Sequence, residues 1–121
     1  MEAIPPEKAV LDAIFSETPE LAPILEQQFG RAAVTTRENT GAGFFTTIEV
    51  CKDAPRANGP GVLGYETHAR VKGLTHGLGF VLFMEDGRLR LLEGYATGPE
   101  STAHLNLEDL IFTVGKTPLD T

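Results

Sequence analysis

The pattern of apolar residues changes at Gly30, and this change constrains the fold more than any other feature of the sequence. Up to Gly30, apolar residues recur at helical spacing in two groups: Val10, Leu11, Ile14 and Phe15, then Leu21, Ile24, Leu25 and Phe29. Beyond Gly30, short segments that alternate between apolar and polar residues are separated by turns. We therefore predict a single α+β domain over residues 1–121, with one or two N-terminal helices packed on a mostly antiparallel sheet of five or six strands.

The predicted strand from Leu78 to Met84 is apolar on both faces apart from Gly79. Glu85-Asp86-Gly87 follows it as a hairpin turn, and Arg88 to Ala96 forms the returning strand. The N-terminal helices can cover only one face of such a sheet. Either the C-terminal segment closes the other face, or that face is an interface or a ligand groove. Homodimerisation is the simplest form of the second alternative.

Glu93 interrupts the apolar side of the returning strand. Strict alternation places Glu93 on one face with Leu89, Leu91 and Tyr95. A buried carboxylate without a partner is costly, so Glu93 needs a partner, a position at the rim, or a β-bulge that turns it outward. Gly94 is a candidate for such a bulge.

Charge is unevenly distributed along the chain. The formal net charge is −7, and residues 1–30 carry six of the 17 acidic residues but only one of the 10 basic residues, Lys8. Because phosphate binding requires a basic surface, we expect no nucleic-acid partner. The acidic helices could instead engage a basic protein, or they could form a solvated face that keeps the chain soluble.

The sequence also bears on where the protein resides. The longest apolar run, Leu78 to Met84, is too short to cross a bilayer. The first residues lack the basic start and apolar stretch of a secretory signal, and the lone Cys51 cannot form an internal disulfide. We expect a cytoplasmic protein of bacterial type with no membrane partner.

His76, Glu93 and Tyr95 form the one combination that suggests acid–base chemistry. His76 lies in the turn before the apolar strand, and hairpin pairing would bring the start of that strand towards Tyr95. A carboxylate that orients an imidazole suits acid–base catalysis, and it is equally common as a structural hydrogen bond. Because no nucleophile or oxyanion site accompanies the group, we predict no catalytic residue. With Phe45, these residues are instead candidates for a binding site.

Metal and cofactor signatures are weak. His68, His104 and Cys51 lack the short ligand spacings that make zinc motifs specific. The glycine-rich segments 40–45 and 77–80 lack the Walker lysine, and both precede strands rather than helices. We predict neither a metal nor a cofactor.

Three segments of the sheet region carry a faint family resemblance: Gly43-Phe44-Phe45-Thr46-Thr47, His76 to Phe83, and Asp86 to Tyr95. In these segments the chain resembles small uncharacterised bacterial proteins of similar length. The resemblance implies a shared fold and an interaction role, such as that of an immunity-type protein that neutralises a partner. It implies no active site.

Three functions of different kinds follow from these observations. We expect a non-enzymatic interaction protein, homodimeric and able to engage a basic partner through its acidic helices. The first alternative is a small-molecule binder with a groove over the sheet, lined by Phe45, Glu93 and Tyr95. The second is a small enzyme that uses His76 and Glu93, which requires the two side chains to lie within hydrogen-bonding distance.

Overall fold

The computed structural model describes residues 1–116 and confirms the α+β fold, with the N-terminal helices packed on an antiparallel sheet. The helices are α1 (Pro5–Ser16) and α2 (Ala22–Phe29). The described residues form seven strands, at least one more than predicted: β1 (Ala32–Asn39), β2 (Gly43–Val50), β3 (Val62–Leu63), β4 (Thr67–Val71), β5 (Leu78–Glu85), β6 (Arg88–Ala96) and β7 (Phe112–Lys116). A short 3-10 helix, Leu107–Asp109, precedes β7.

The apolar strand β5 lies near the middle of the sheet. The strand order is β1-β2-β6-β5-β4-β7, every neighbouring pair is antiparallel, and β3 pairs with β5 beyond the end of β4. The hairpin between β5 and β6 turns at Asp86 and Gly87, which have φ angles of 53° and 74°. Positive φ at both central residues is the signature of a type I′ turn, as the Asp-Gly pair predicts.

The two helices cover one face of the sheet, which we call the covered face. The core residues of α1 and α2 are Val10, Leu11, Ile14, Phe15 and Leu25. They share one hydrophobic cluster with the sheet residues Phe44, Ile48, Leu78, Phe80, Leu82 and Leu92. Leu105, Leu107, Leu110 and Phe112 of the C-terminal segment pack against the same cluster. The alternative that this segment closes the opposite face is therefore wrong for the described residues.

A buried ion pair fixes the start of α1 on the sheet. Glu7 is 3% exposed, and its Oε2 accepts hydrogen bonds from Arg37 Nε at 2.7 Å and Thr46 Oγ1 at 2.8 Å. Its Oε1 accepts from Arg37 Nη2 and from the backbone N–H of Ile4, both at 2.9 Å. The hydrogen bond to Glu7 raises the pKa of Arg37 above its ordinary value. Both carboxylate oxygens are thus satisfied inside the core.

A buried amide fixes α2 in a similar way. The Gln28 side chain is fully buried, and its Nε2 donates to the backbone carbonyls of Pro55 and Gly87 at 2.8 Å each. Its Oε1 accepts a hydrogen bond from the backbone N–H of Leu89 at 3.0 Å. One side chain therefore joins α2 to the central hairpin and to the loop after β2.

Apolar and polar residues alternate from Val62 to Gly73, a pattern that predicts one strand, but the structure divides this segment in two. Gly64 has a φ of 97°, a left-handed conformation that glycine adopts without strain, and it separates β3 from β4. Tyr65 consequently points to solvent with 68% of its surface exposed, although alternation predicted it on the buried face.

Candidate functional site

We call the opposite face of the sheet the open face. A β-bulge at Arg90 determines which side chains of β6 lie on it. Phe83 pairs with Leu91, but its neighbour Met84 pairs with Leu89, so Arg90 is an extra residue in β6. Leu89 therefore turns to the covered face and is 2% exposed. The prediction that Leu89 shares a face with Leu91 and Glu93 is wrong, because the bulge lies at Arg90 and not at Gly94.

Three rows of cross-strand neighbours make up the centre of the open face. They are Thr47, Leu91 and Phe83; Phe45, Glu93 and Val81; and Gly43, Tyr95 and Gly79. Five of these residues carry large apolar side chains, and we call them the apolar patch: Phe45, Val81, Phe83, Leu91 and Tyr95. Each is half-buried although none belongs to the hydrophobic core or packs against it, because large side chains in adjacent rows of a sheet shield one another.

Glu93 lies in the middle of the apolar patch. Phe45 and Val81 are its cross-strand neighbours, and Leu91 and Tyr95 precede and follow it on the same face of β6. Its side chain is half-buried, and within residues 1–116 it makes no hydrogen bond or ion pair. The carboxylate is thus encircled by apolar groups and remains in contact with water only while the face is uncovered.

The ring of Tyr95 packs over Gly79 of the neighbouring strand. A Cβ added at Gly79 would lie 2.4 Å from Cζ of Tyr95, so the phenol ring occupies the space above that glycine. The covered face repeats the arrangement, since a Cβ at Gly94 would lie 2.7 Å from Cε1 of Phe80. Gly79 and Gly94, the two glycines within the strands of the central hairpin, are therefore each covered by an aromatic ring of the neighbouring strand.

His76 lies in the loop before β5, close to Thr97 at the end of β6, and does not reach Glu93. Its backbone N–H donates to Oε2 of Glu100 at 2.6 Å, and the N–H of Thr75 donates to Oε1 at 2.5 Å. These two hydrogen bonds lower the pKa of Glu100. His76 precedes Val81, the partner of Glu93, by five residues, which is about 16 Å along an extended strand. The structure thus groups Phe45, Glu93 and Tyr95, while the His76–Glu93 contact that acid–base catalysis requires does not occur.

The main cavities of residues 1–116 lie outside the apolar patch. A groove of about 660 Å³ lies beside β4 and β7, and another of about 540 Å³ lies beside β3 and the end of α1. The first is lined by Arg70 and Lys72, two residues that the sequence analysis did not select. The signal was present, because His68, Arg70 and Lys72 alternate along one segment, but the same pattern is typical of any solvated strand face.

Other kinds of site find no support within the described part of the chain. No three His, Cys, Asp or Glu side chains of residues 1–116 are grouped closely enough to hold a metal ion. None of the helices in this range is long and apolar enough to span a membrane. Comparison with protein-family models, with curated proteins and with solved structures gave no significant match for this chain.

Proposed function

We propose that this protein is a non-enzymatic interaction protein that associates with a second copy of itself through the apolar patch. The observation that supports the proposal is the patch itself, in which five large apolar side chains occupy adjacent rows of one sheet face. Contiguous apolar surface of this kind is typical of protein–protein contacts. None of the patch residues lines either of the two grooves described above, which favours a macromolecular partner over a small ligand.

The distribution of charge favours a second copy as the partner. The helices carry most of the excess negative charge and pack on the covered face, so they lie on the far side of the sheet from the patch. Two copies that meet patch to patch stack their sheets about 10 Å apart. Their acidic helices then form the two outer layers, where mutual repulsion is smallest. The contact is isologous and closes as a dimer.

Glu93 limits the strength of this association. Patch-to-patch contact removes water from a carboxylate that has no hydrogen-bond partner within residues 1–116, and this desolvation is unfavourable. The apolar side chains around Glu93 gain free energy from the same burial. We therefore expect a reversible dimer whose population depends on protein concentration.

Native mass spectrometry and light scattering over a range of concentrations test the proposal. We expect a dimer with no added mass in the wild type, and a monomer in Val81→Glu and in Phe45→Glu, each of which places a second carboxylate directly opposite Glu93 in the patch. Tyr65→Glu is the matched control, because Tyr65 is a large exposed residue outside the patch. Circular dichroism checks that each variant is folded.

Two results would contradict the proposal. A wild type that stays monomeric at all concentrations would exclude self-association, and the exposed acids of α1 and α2 would then be the surface to test with a basic protein. A retained mass that disappears on denaturation would instead support the small-molecule binder.

A further inference from the structure

The groove of about 660 Å³ beside β4 and β7 differs in charge from the rest of the molecule. The chain has 17 acidic and 10 basic residues, yet none of the described residues that line this groove is acidic. The polar side chains on its walls are those of His68, Arg70, Lys72, His76, Thr75, Thr97 and Thr113. An acidic protein thus carries a locally basic concave surface, which attracts anions.

The two permanent cations of this groove are not neutralised by any of residues 1–116. Arg70 and Lys72 are exposed, and neither forms an ion pair within residues 1–116. Glu100 contacts the loop at the groove, but its two oxygens accept hydrogen bonds from the backbone N–H groups of Thr75 and His76. Its carboxylate is therefore committed to the backbone and leaves the side chains of Arg70 and Lys72 available to a ligand.

Part of the groove is apolar. Ile111 is 63% exposed beside it, and Leu74 and Phe112 contribute further to the wall. The Thr97 hydroxyl donates to the carbonyl of His76 at 2.7 Å, which joins the end of β6 to the loop before β5 at the groove wall. A ligand that fits this surface combines a negative group with a compact apolar body.

We propose that this groove binds a small organic anion, in which a carboxylate or phosphate contacts Arg70 and Lys72 and an apolar body packs on Ile111 and Leu74. The site adjoins the apolar patch, because its lining residue His68 pairs with Gly79, but none of the five patch residues lines it. Binding is therefore tested in the Phe45→Glu variant as well as in the wild type, so that loss of self-association and loss of anion binding are distinguished.

Titration of the ¹⁵N-labelled protein with benzoate, phenyl phosphate and inorganic phosphate tests this site. We expect saturable chemical-shift changes, confined to the amides of residues 68–77, 97 and 111–113, with either aromatic probe. Inorganic phosphate should bind about tenfold more weakly than phenyl phosphate, because it lacks the apolar body. The stronger of the two aromatic probes identifies the anionic group that the groove prefers.

Two variants and a control separate this site from general electrostatic attraction. Lys72→Gln should weaken both aromatic probes about tenfold, as expected when a charged hydrogen bond is lost. The matched variant Lys52→Gln removes the same charge from an exposed lysine after β2 and should leave binding unchanged. Ile111→Thr should weaken phenyl phosphate and leave inorganic phosphate unaffected. Equal losses in the two lysine variants, or shifts that do not saturate or that spread over the surface, would overturn the proposal.

Discussion

Each face of the sheet carries a glutamate among apolar residues, and the two carboxylates differ in their hydrogen bonding. On the covered face, Glu7 is 3% exposed and accepts four hydrogen bonds from Arg37, Thr46 and the Ile4 backbone. On the open face, Glu93 is half-buried among apolar side chains and has no hydrogen-bond partner within residues 1–116. The two carboxylates therefore differ both in burial and in the number of polar groups that contact them.

This difference separates the residues that hold the fold together from those that are available for binding. Every polar atom of Glu7 and Gln28 on the covered face has a partner within the chain, so changing one partner leaves another buried group unsatisfied. The open face has no such closed network, and changes there should alter association more than stability. The following predictions test that division, beginning with the largest expected effect.

Arg37→Met should give the largest loss of stability. It removes the cation from a buried carboxylate, and uncompensated burial of that kind lowers the free energy of unfolding by about 3–5 kcal/mol. Urea denaturation of the variant measures the loss. Arg31→Met, at an exposed arginine, is the control and should change stability by less than about 0.5 kcal/mol.

The double variant Glu7→Leu/Arg37→Met sharpens this test. Because replacement of both members of a buried ion pair by apolar groups is often neutral, the double variant should be more stable than Arg37→Met alone. If it is less stable, the ion pair contributes net stability and the orphaned carboxylate does not account for the loss.

Gln28→Leu should lower the free energy of unfolding by about 3 kcal/mol. The substitution keeps the apolar volume but leaves the carbonyl of Pro55 and the N–H of Leu89 without the bonds that Gln28 supplies. The neighbouring Gln27→Leu is the control, since Gln27 is exposed on the same helix. Equal effects of the two variants would mean that the amide does not fix α2 on the hairpin.

Gly94→Ala and Gly79→Ala compare the two faces directly. Both new methyl groups would overlap an aromatic ring, Phe80 on the covered face and Tyr95 on the open face. Phe80 is enclosed by the core and cannot move, so Gly94→Ala should cost about 1–3 kcal/mol. Tyr95 can tilt into solvent, so Gly79→Ala should cost less than about 1 kcal/mol in the monomer. A larger loss in Gly79→Ala would show that the open face is packed by another part of the protein.

The sequence predicted those features that depend on local pattern. The helix-to-strand order, the alternation of Phe44, Ile48 and Val50 against Phe45 and Thr47, and the Asp-Gly hairpin all follow from neighbouring residues. The sequence also predicted that the helices cover only one face of the apolar strand, and it left open whether the C-terminal segment covers the other.

The predictions were wrong where the local sequence pattern is compatible with either face of the sheet. Leu89 and Leu91 are both apolar, so alternation could not reveal that an extra residue at Arg90 sends them to opposite faces. The apolar residues of the C-terminal segment suit either side of the sheet, and only tertiary packing places them beside α1. The basic groove combines β4, the loop before β5 and the start of β7, which lie apart in sequence.

Glu93→Gln should have the smallest effect on the fold and a clear effect on association. The side chain has no hydrogen bond to lose within residues 1–116, so the free energy of unfolding should change by less than about 0.5 kcal/mol. Removal of the charge eliminates most of the desolvation cost of burying this side chain, so the dimer Kd should fall about tenfold. Glu26→Gln, at an exposed carboxylate of α2 on the far side of the sheet, is the control for net charge. Sedimentation equilibrium measures the dimer Kd of both variants, and urea denaturation measures their free energy of unfolding. A weaker dimer in Glu93→Gln would mean that a cation meets Glu93 across the interface, and the apolar patch of a second copy supplies none.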